Sequence, residues 1–440
     1  MNCSALPANN LTDFPPHLFK MKFSALVLSL LTAGTALAQD WPIFRGPSGD
    51  GHVSAKHLPL EWSNTKNIAW HVNPPGKGWS SPILVAGKLY FTAAVNVSGK
   101  EDDPKADRTL HTLCLNAADG KTVWDVVVFA QDGAKAPGSI HSKNGHASPT
   151  PVFQDGRLYV HFGHQGTACL DLEGKKIWEN RSLWYEPQHG GGSTPIIVDD
   201  RLIFSCDGRE EQYVAALKIA DGSLVWKFPR PTNARSKFSF CTPECITVNG
   251  RKMVITPGAD IVNALDPATG KEIWHCNYEG YSIVPKPVFG NGLVYVATSF
   301  DTPDVLAIKP DGTGDVTDTH VAWQVAQNKR PPCTPSMILD GQNLFWVSDG
   351  GLASCVDALT GETLWCERVG KSFSASPILW DGKIYFLDEA GLCTVVEAKR
   401  EFKVVAENKL EGERTLASMA VTDGTIFLRT ETGLYCIKAP

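Results

Sequence analysis

Several signatures are missing from this chain of 440 residues, and each absence closes off a class of function. No apolar run reaches the roughly 18 residues that a membrane helix needs, so no membrane span is expected. There is no CxxC and no Cys/His spacing of the metal-ligand kind, which leaves structural zinc without support. No Walker-type glycine loop, HExxH or GxSxG occurs, and the run Gly190-Gly191-Gly192 lacks the strand-to-helix context that would cradle phosphate. Positive charge is scarce: 41 Lys and Arg against 47 Asp and Glu leave a net charge of −6. That balance disfavours a nucleic-acid partner, whose binding depends on a broad basic surface. No amphipathic stretch is long enough for the crossover helices of a parallel α/β fold.

What is present suits a packed globular chain, with 43% hydrophobic and 20% charged residues. Near the N-terminus, Lys22 precedes an apolar stretch over residues 23–31, and the segment ends in Ala36-Leu37-Ala38. This order predicts a secretory signal over residues 21–38, cleaved before Gln39, with residues 1–20 as an upstream extension and the start open between Met1 and Met21. The mature chain, residues 39–440, is expected to be periplasmic or secreted, a monomer, and without a lipid anchor. Of 12 cysteines, Cys114, Cys169, Cys355 and Cys436 share one place in hydrophobic strands and read as small core residues. Cys241 and Cys245 are the local disulfide candidates in an oxidising compartment.

A tryptophan recurs just after a glycine turn. Trp70, Trp124, Trp178, Trp226, Trp274, Trp323 and Trp365 stand 42 to 54 residues apart, the period of one propeller blade. Most end a segment such as CLNAADGKTVW or ALDPATGKEIW, which reads as strand, turn, strand, with Gly120, Gly174, Gly222, Gly270, Gly312 and Gly361 in the turn. A second hairpin precedes it, for example at Asn291-Gly292 and Asp381-Gly382. A proline opens every unit but the last, as in Ser81-Pro82, Thr150-Pro151, Thr334-Pro335 and Ser376-Pro377; without an N–H to donate, it fits the start of an innermost strand, and the last unit keeps the spacing with Met419-Ala420. The last unit lacks a fourth strand, which Asn67-Ile68-Ala69-Trp70 can supply. The expected fold is all-β: an eight-bladed β-propeller of four-stranded antiparallel blades, closed by pairing of its N- and C-terminal strands. The tryptophans are expected to pack between blades.

The segment Ala264-Leu265-Asp266-Pro267-Ala268-Thr269-Gly270-Lys271-Glu272-Ile273-Trp274 resembles the repeat of the PQQ-like (quinoprotein) β-propellers, which include quinoprotein alcohol dehydrogenases and BamB-type assembly factors. WPIFRGPSGDG from Trp41 resembles exported PQQ-like repeat proteins of bacteria such as planctomycetes. The resemblance implies either an envelope scaffold or, as the alternative, a PQQ-dependent oxidoreductase of alcohols or sugars with PQQ and calcium. The adjacent cysteine pair typical of many catalytic members is absent here, so no cofactor is expected and the scaffold reading is preferred. Independently of the resemblance, loops joining successive blades carry cations: Lys143 with Asn144 and His146, Arg235, Lys237, Lys329, Arg330 and Lys371. Gathered at a channel mouth, these would attract an anion. The expected partner is therefore an envelope protein, an anionic polymer or a small anionic ligand.

Overall fold

The computed structural model describes residues 40–99, 103, 105–133, 140–326 and 330–438. The expected leader, residues 21–38, and the stretch before it lie outside them. Among the described residues, the β-strands are joined by turns and loops with 3-10 conformation at Gly133 and Gly163–Gln165, and no helix is long and apolar enough to cross a membrane. The strands form eight sheets. Blade 1 runs Ile83–Val85, Lys88–Asn96, Arg108–Asn116 and Thr122–Gln131 from the channel outward. Blades 2 to 7 begin at Val152, Ile196, Glu244, Val288, Ile338 and Ile378 and repeat that order. Blade 8 starts at Ala420 with three C-terminal strands and takes its outer strand, Ile68–Val72, from the other end of the chain. His71 there opposes Tyr435 and Val72 opposes Leu434, so the ring closes through main-chain pairing. Closure leaves no sheet edge at the join for another chain to extend.

Local chemistry explains the blade. At the first hairpin of blade 5, Asn291 and Gly292 both have positive φ, 54° and 73°, as a two-residue turn matched to strand twist requires. Blade 3 makes its turn with Asp199-Asp200 and no glycine; Asp199 takes φ of 55°, which an aspartate tolerates better than most residues. The second hairpin joins each blade to its predecessor. The indole N–H of Trp178 donates to Ile219 O of the next blade at 3.0 Å, and its ring lies over Gly222, where a Cβ would come within 2.4 Å of it. The six other repeat tryptophans donate to the equivalent carbonyls at Ala117, Leu172, Pro267, Pro310, Ala358 and Lys399, at 2.9 to 3.1 Å. Each covers hydrophobic surface that one blade alone could not bury.

Three details differ from the sequence reading. Gly312 is not in a tight turn: the connection from Ile308 to Val321 is long and places Gly314–Asp315 beside the outer strand of blade 4 as a parallel fifth strand. In blade 6 the residue two before the inner strand is Ser336, so Thr334-Pro335 stands two residues earlier than its counterparts. Cys241 and Cys245 form no disulfide; all eleven cysteines among the described residues are free. Four extended residues separate two Cα atoms by roughly 13 Å, beyond the reach of an S–S bridge. Cys241 instead directs its thiol at Pro285 O, 3.1 Å away.

Residues 40–62 form a strap across the face that carries the hairpin turns. Trp41 exchanges backbone hydrogen bonds with Leu84 of blade 1, and Pro42 O accepts from Phe153 N of blade 2. Arg45, 2% exposed, donates to Met337 O of blade 6 at 2.7 Å. Lys286 of blade 5 donates to Gly49 O at 2.7 Å and pairs with Glu244 of blade 4. Gly51 and Val53 bond to Leu379 of blade 7, and His57 O accepts from Gly424 N of blade 8. One short segment thus ties most of the ring together.

Candidate functional site

The inner strands have no sheet partner on the channel side, so their N–H groups must find other acceptors. The sequence provides a hydroxyl two residues before seven of the eight inner strands: Ser81, Thr150, Thr194, Thr242, Ser336, Ser376 and Ser418. Ser81 N–H donates to Thr150 Oγ1, Thr150 N–H to Thr194 Oγ1 and Thr194 N–H to Thr242 Oγ1, at 3.0 to 3.1 Å. Lys286, Ser336 and Ser376 donate in the same sense to Ser336, Ser376 and Ser418, at 2.9 to 3.1 Å. Lys286 holds the eighth place and turns its ammonium to the strap instead.

The ring hydroxyls line a cavity of about 350 Å³ at the channel mouth, with Phe44 of the strap contributing to its lining. Trp79, Phe238, Tyr281 and Phe300 supply aromatic walls. His141 meets His189, His189 meets Phe238, and Phe238 meets Tyr281, all edge-to-face with centroids 5.5 to 5.6 Å apart. Such contacts hold the rings in fixed orientation. On the far side Lys143, from the connection between blades 1 and 2, reaches Asp349 of blade 6 at 3.2 Å and Glu389 of blade 7 at 2.9 Å. Burial alone would lower the Lys143 pKa, but the two carboxylates override it and hold the ammonium more strongly protonated than usual. Burial likewise opposes ionisation of Glu389, yet Ser374 and Lys143 keep its pKa below the ordinary value. Arg414 of the blade 7 to 8 connection donates to Ser142 O at 2.8 Å, tying down the same loop.

Of the cation series read from the sequence, Lys143 lines the cavity, as does Asn144 beside it. His146 lies behind that wall, bonded to Gln131 Oε1 at 3.0 Å, with its pKa pushed down to about 3 by burial and by Arg108 and His164. Arg235 pairs with Asp301 at 2.9 Å in solvent, and Lys237, Arg330 and Lys371 are exposed. Lys329 lies outside the described residues. Sequence reasoning missed Asp349 and Glu389, which sit in the turn between the second and third strands of their blades. The signal was there: an acidic residue precedes a Gly-Leu pair in SDGGLA, DEAGLC and TETGLY. It also took the proline as the landmark and passed over the hydroxyl before it.

PQQ is a flat tricarboxylate held against a metal ion. Among the described residues Lys143 is the one Lys or Arg lining the cavity, and it is already shared by two carboxylates, while no group of three His, Cys, Asp or Glu is placed to hold a metal.

Comparison with known proteins matches this architecture. BamB from Moraxella catarrhalis superposes with a TM-score of 0.56 at 14% identity, covering 84% of this chain and 99% of its own. A europium-containing methanol dehydrogenase superposes with a TM-score of 0.61 at 12% identity, covering 90% of each chain. At these identities the likeness establishes the fold. A curated relative, the tetrathionate hydrolase of Acidithiobacillus ferrooxidans, is 21% identical over 356 residues, 73% of this chain; the chain spans 65% of that relative's length. Residues 63–239 and 315–439 match one family, and by that match the chain belongs to the family described as outer membrane protein assembly factor BamB.

Proposed function

We propose that this protein is an exported, non-catalytic propeller of the cell envelope that binds a ligand or partner segment at its channel mouth. The observation that carries this reading is the cavity itself: aromatic walls and a hydroxyl ring offer complementary surface. Its strongest ionisable cluster, Lys143 with Asp349 and Glu389, is spent on internal pairing and leaves no free base beside a nucleophile. Membership of the BamB family supports a scaffold role. Thermal melting of residues 39–440 against envelope extracts fractionated by size, and against PQQ with calcium, tests the reading. A fraction that raises Tm, with no dye reduction by alcohols or sugars, supports it. Saturable PQQ binding with turnover overturns it in favour of a quinoprotein oxidoreductase.

The similarity to a tetrathionate hydrolase favours a second reading, a hydrolase acting on a sulfur oxyanion. Incubation with tetrathionate separates the two: release of thiosulfate in proportion to protein concentration supports the hydrolase, and unchanged tetrathionate removes it.

A further inference from the structure

The loop that enters blade 2 is rooted on one side of the mouth and fastened on the other. At its root Ala147 is completely buried, and its carbonyl accepts from Trp79 N–H and Ser80 N–H at 3.1 and 3.2 Å. Asn144 Oδ1 accepts from Gly145 N–H at 2.8 Å and from Ser148 Oγ at 2.6 Å, which stiffens the arm beyond that root. The arm ends in a turn closed by Asn144 N–H on His141 O at 2.8 Å. His141, Lys143, Asn144 and Ser148 all line the cavity, so arm and turn form part of its wall. Among the described residues no main-chain hydrogen bond joins the turn to the blades across the ring. Two cations fasten it instead. Lys143 Nζ reaches Asp349 and Glu389 and donates to Phe373 O at 3.4 Å, while Arg414 holds Ser142 O.

Such a hold is weak by its chemistry. The side chains of Lys143, Asp349 and Glu389 keep 24%, 20% and 14% of their surface in contact with water, and ion pairs of that kind are individually small and screened by salt. His141 and Ser142 are exposed, so little apolar burial adds to it. Blades joined by buried tryptophans stay shut until the whole ring unfolds, whereas a segment with few buried contacts opens at small cost. We propose that residues 140–148 are a lid over the cavity: latched by Lys143 on Asp349 and Glu389 it is shut, and release of that latch lifts the turn from blades 6 and 7 and opens the hydroxyl ring to a guest. With the channel mouth as the binding site, on which this rests, entry is controlled by Lys143.

Ser336, 2% exposed in the hydroxyl ring, is the place for a reporter. In residues 39–440 carrying Ser336→Cys, modification by a bulky maleimide is followed by peptide mass mapping, which separates the introduced thiol from the native ones. With the latch intact, modification should be slow in about 0.05 M salt and faster in about 1 M. Adding Lys143→Met and Glu389→Gln together removes the latch without leaving two carboxylates face to face; it should raise the rate about tenfold or more and reduce its dependence on salt. Hydrogen exchange of the unaltered protein gives a second reading: the amides of residues 141–144 should exchange faster in the higher salt, and those of the inner strands should not. If the substituted protein is modified no faster, or the amides of the turn are indifferent to salt, the turn is a fixed wall and the lid is overturned, while the binding site keeps its own test by melting. If the lid opens and no envelope fraction raises Tm with the latch present or removed, the gate stands and the binding site falls.

Discussion

Individual buried polar groups set the tolerance of this ring to change. Arg230 and Asp207 have fully buried side chains, 3.1 Å apart, and Arg230 also donates to Thr256 O, Thr256 Oγ1 and Asn263 Oδ1. Replacing Arg230 by Leu strands a carboxylate and removes the donor to three further acceptors, and should cost about 3–5 kcal/mol in urea unfolding. The Asp207→Leu, Arg230→Leu double variant should recover much of that loss; an equal loss in both would show that the pairing is not the cause. Acid sensitivity also belongs to single residues. Burial holds His146, His161 and His164 at about 3, 3 and 4, far below the ordinary value near 6.5. The unfolded chain takes up these protons first as pH falls, so their contribution is complete above about pH 6.5 and drains away below it. Each adds up to about 1.4 kcal/mol of lost stability per pH unit in that window. Tm should fall between about pH 6.5 and pH 4.5, and His161→Phe should make the slope shallower.

At the scale of the element, the repeated unit is a hairpin whose glycine serves two demands that can be separated. Gly87 and Gly222 have nearly equal φ, 74° and 72°, but a Cβ at Gly87 meets nothing within 4 Å, whereas at Gly222 it would strike Trp178 of the preceding blade. Gly87→Ala should cost about 1 kcal/mol, the backbone term alone. Gly222→Ala should cost distinctly more, because the tryptophan must also move; equal losses in denaturant unfolding would mean that the blade contact carries little energy. Trp274, completely buried, is the extreme case, and Trp274→Ala should lose about 3–5 kcal/mol. Blade 4 also shows how an element departs from its repeat: the long Ile308 to Val321 connection lends it a fifth strand, which no periodicity marks.

For the whole molecule, the decisive contact is the join between Ile68–Val72 and Leu434–Lys438. Cysteines at His71 and Tyr435, paired residues in that register, should form a bridge under oxidation and raise Tm markedly, since the loop it closes spans almost the entire propeller. Failure of the pair to oxidise would place the two strands apart and undo the closed ring. The strap over residues 40–62 acts at the same scale. Lys286→Met removes its bond to Gly49 O and leaves Glu244 unpaired, and should expose residues 40–62 to protease before the blades unfold.

Blade number, hairpin placement, ring closure and the tryptophan contacts were legible from residue order because each arises from short-range rules repeated many times: turn geometry, alternation, and an apolar face too large to leave wet. The site was legible only in part. Loop position predicted that Lys143 and Asn144 would reach the mouth, but not that Asp349 and Glu389, more than two hundred residues away, would neutralise Lys143. Arg235 sits in the predicted series but is largely exposed, pairing with Asp301 and lying over the outer side of the Tyr281 ring without lining the cavity. The same limit hid the strap, whose WPIFRGPSGDG has no period to give it away. Repetition encodes how neighbours stack, whereas the charge and shape of the channel mouth come from residues that meet across the ring, brought together only when the circle closes.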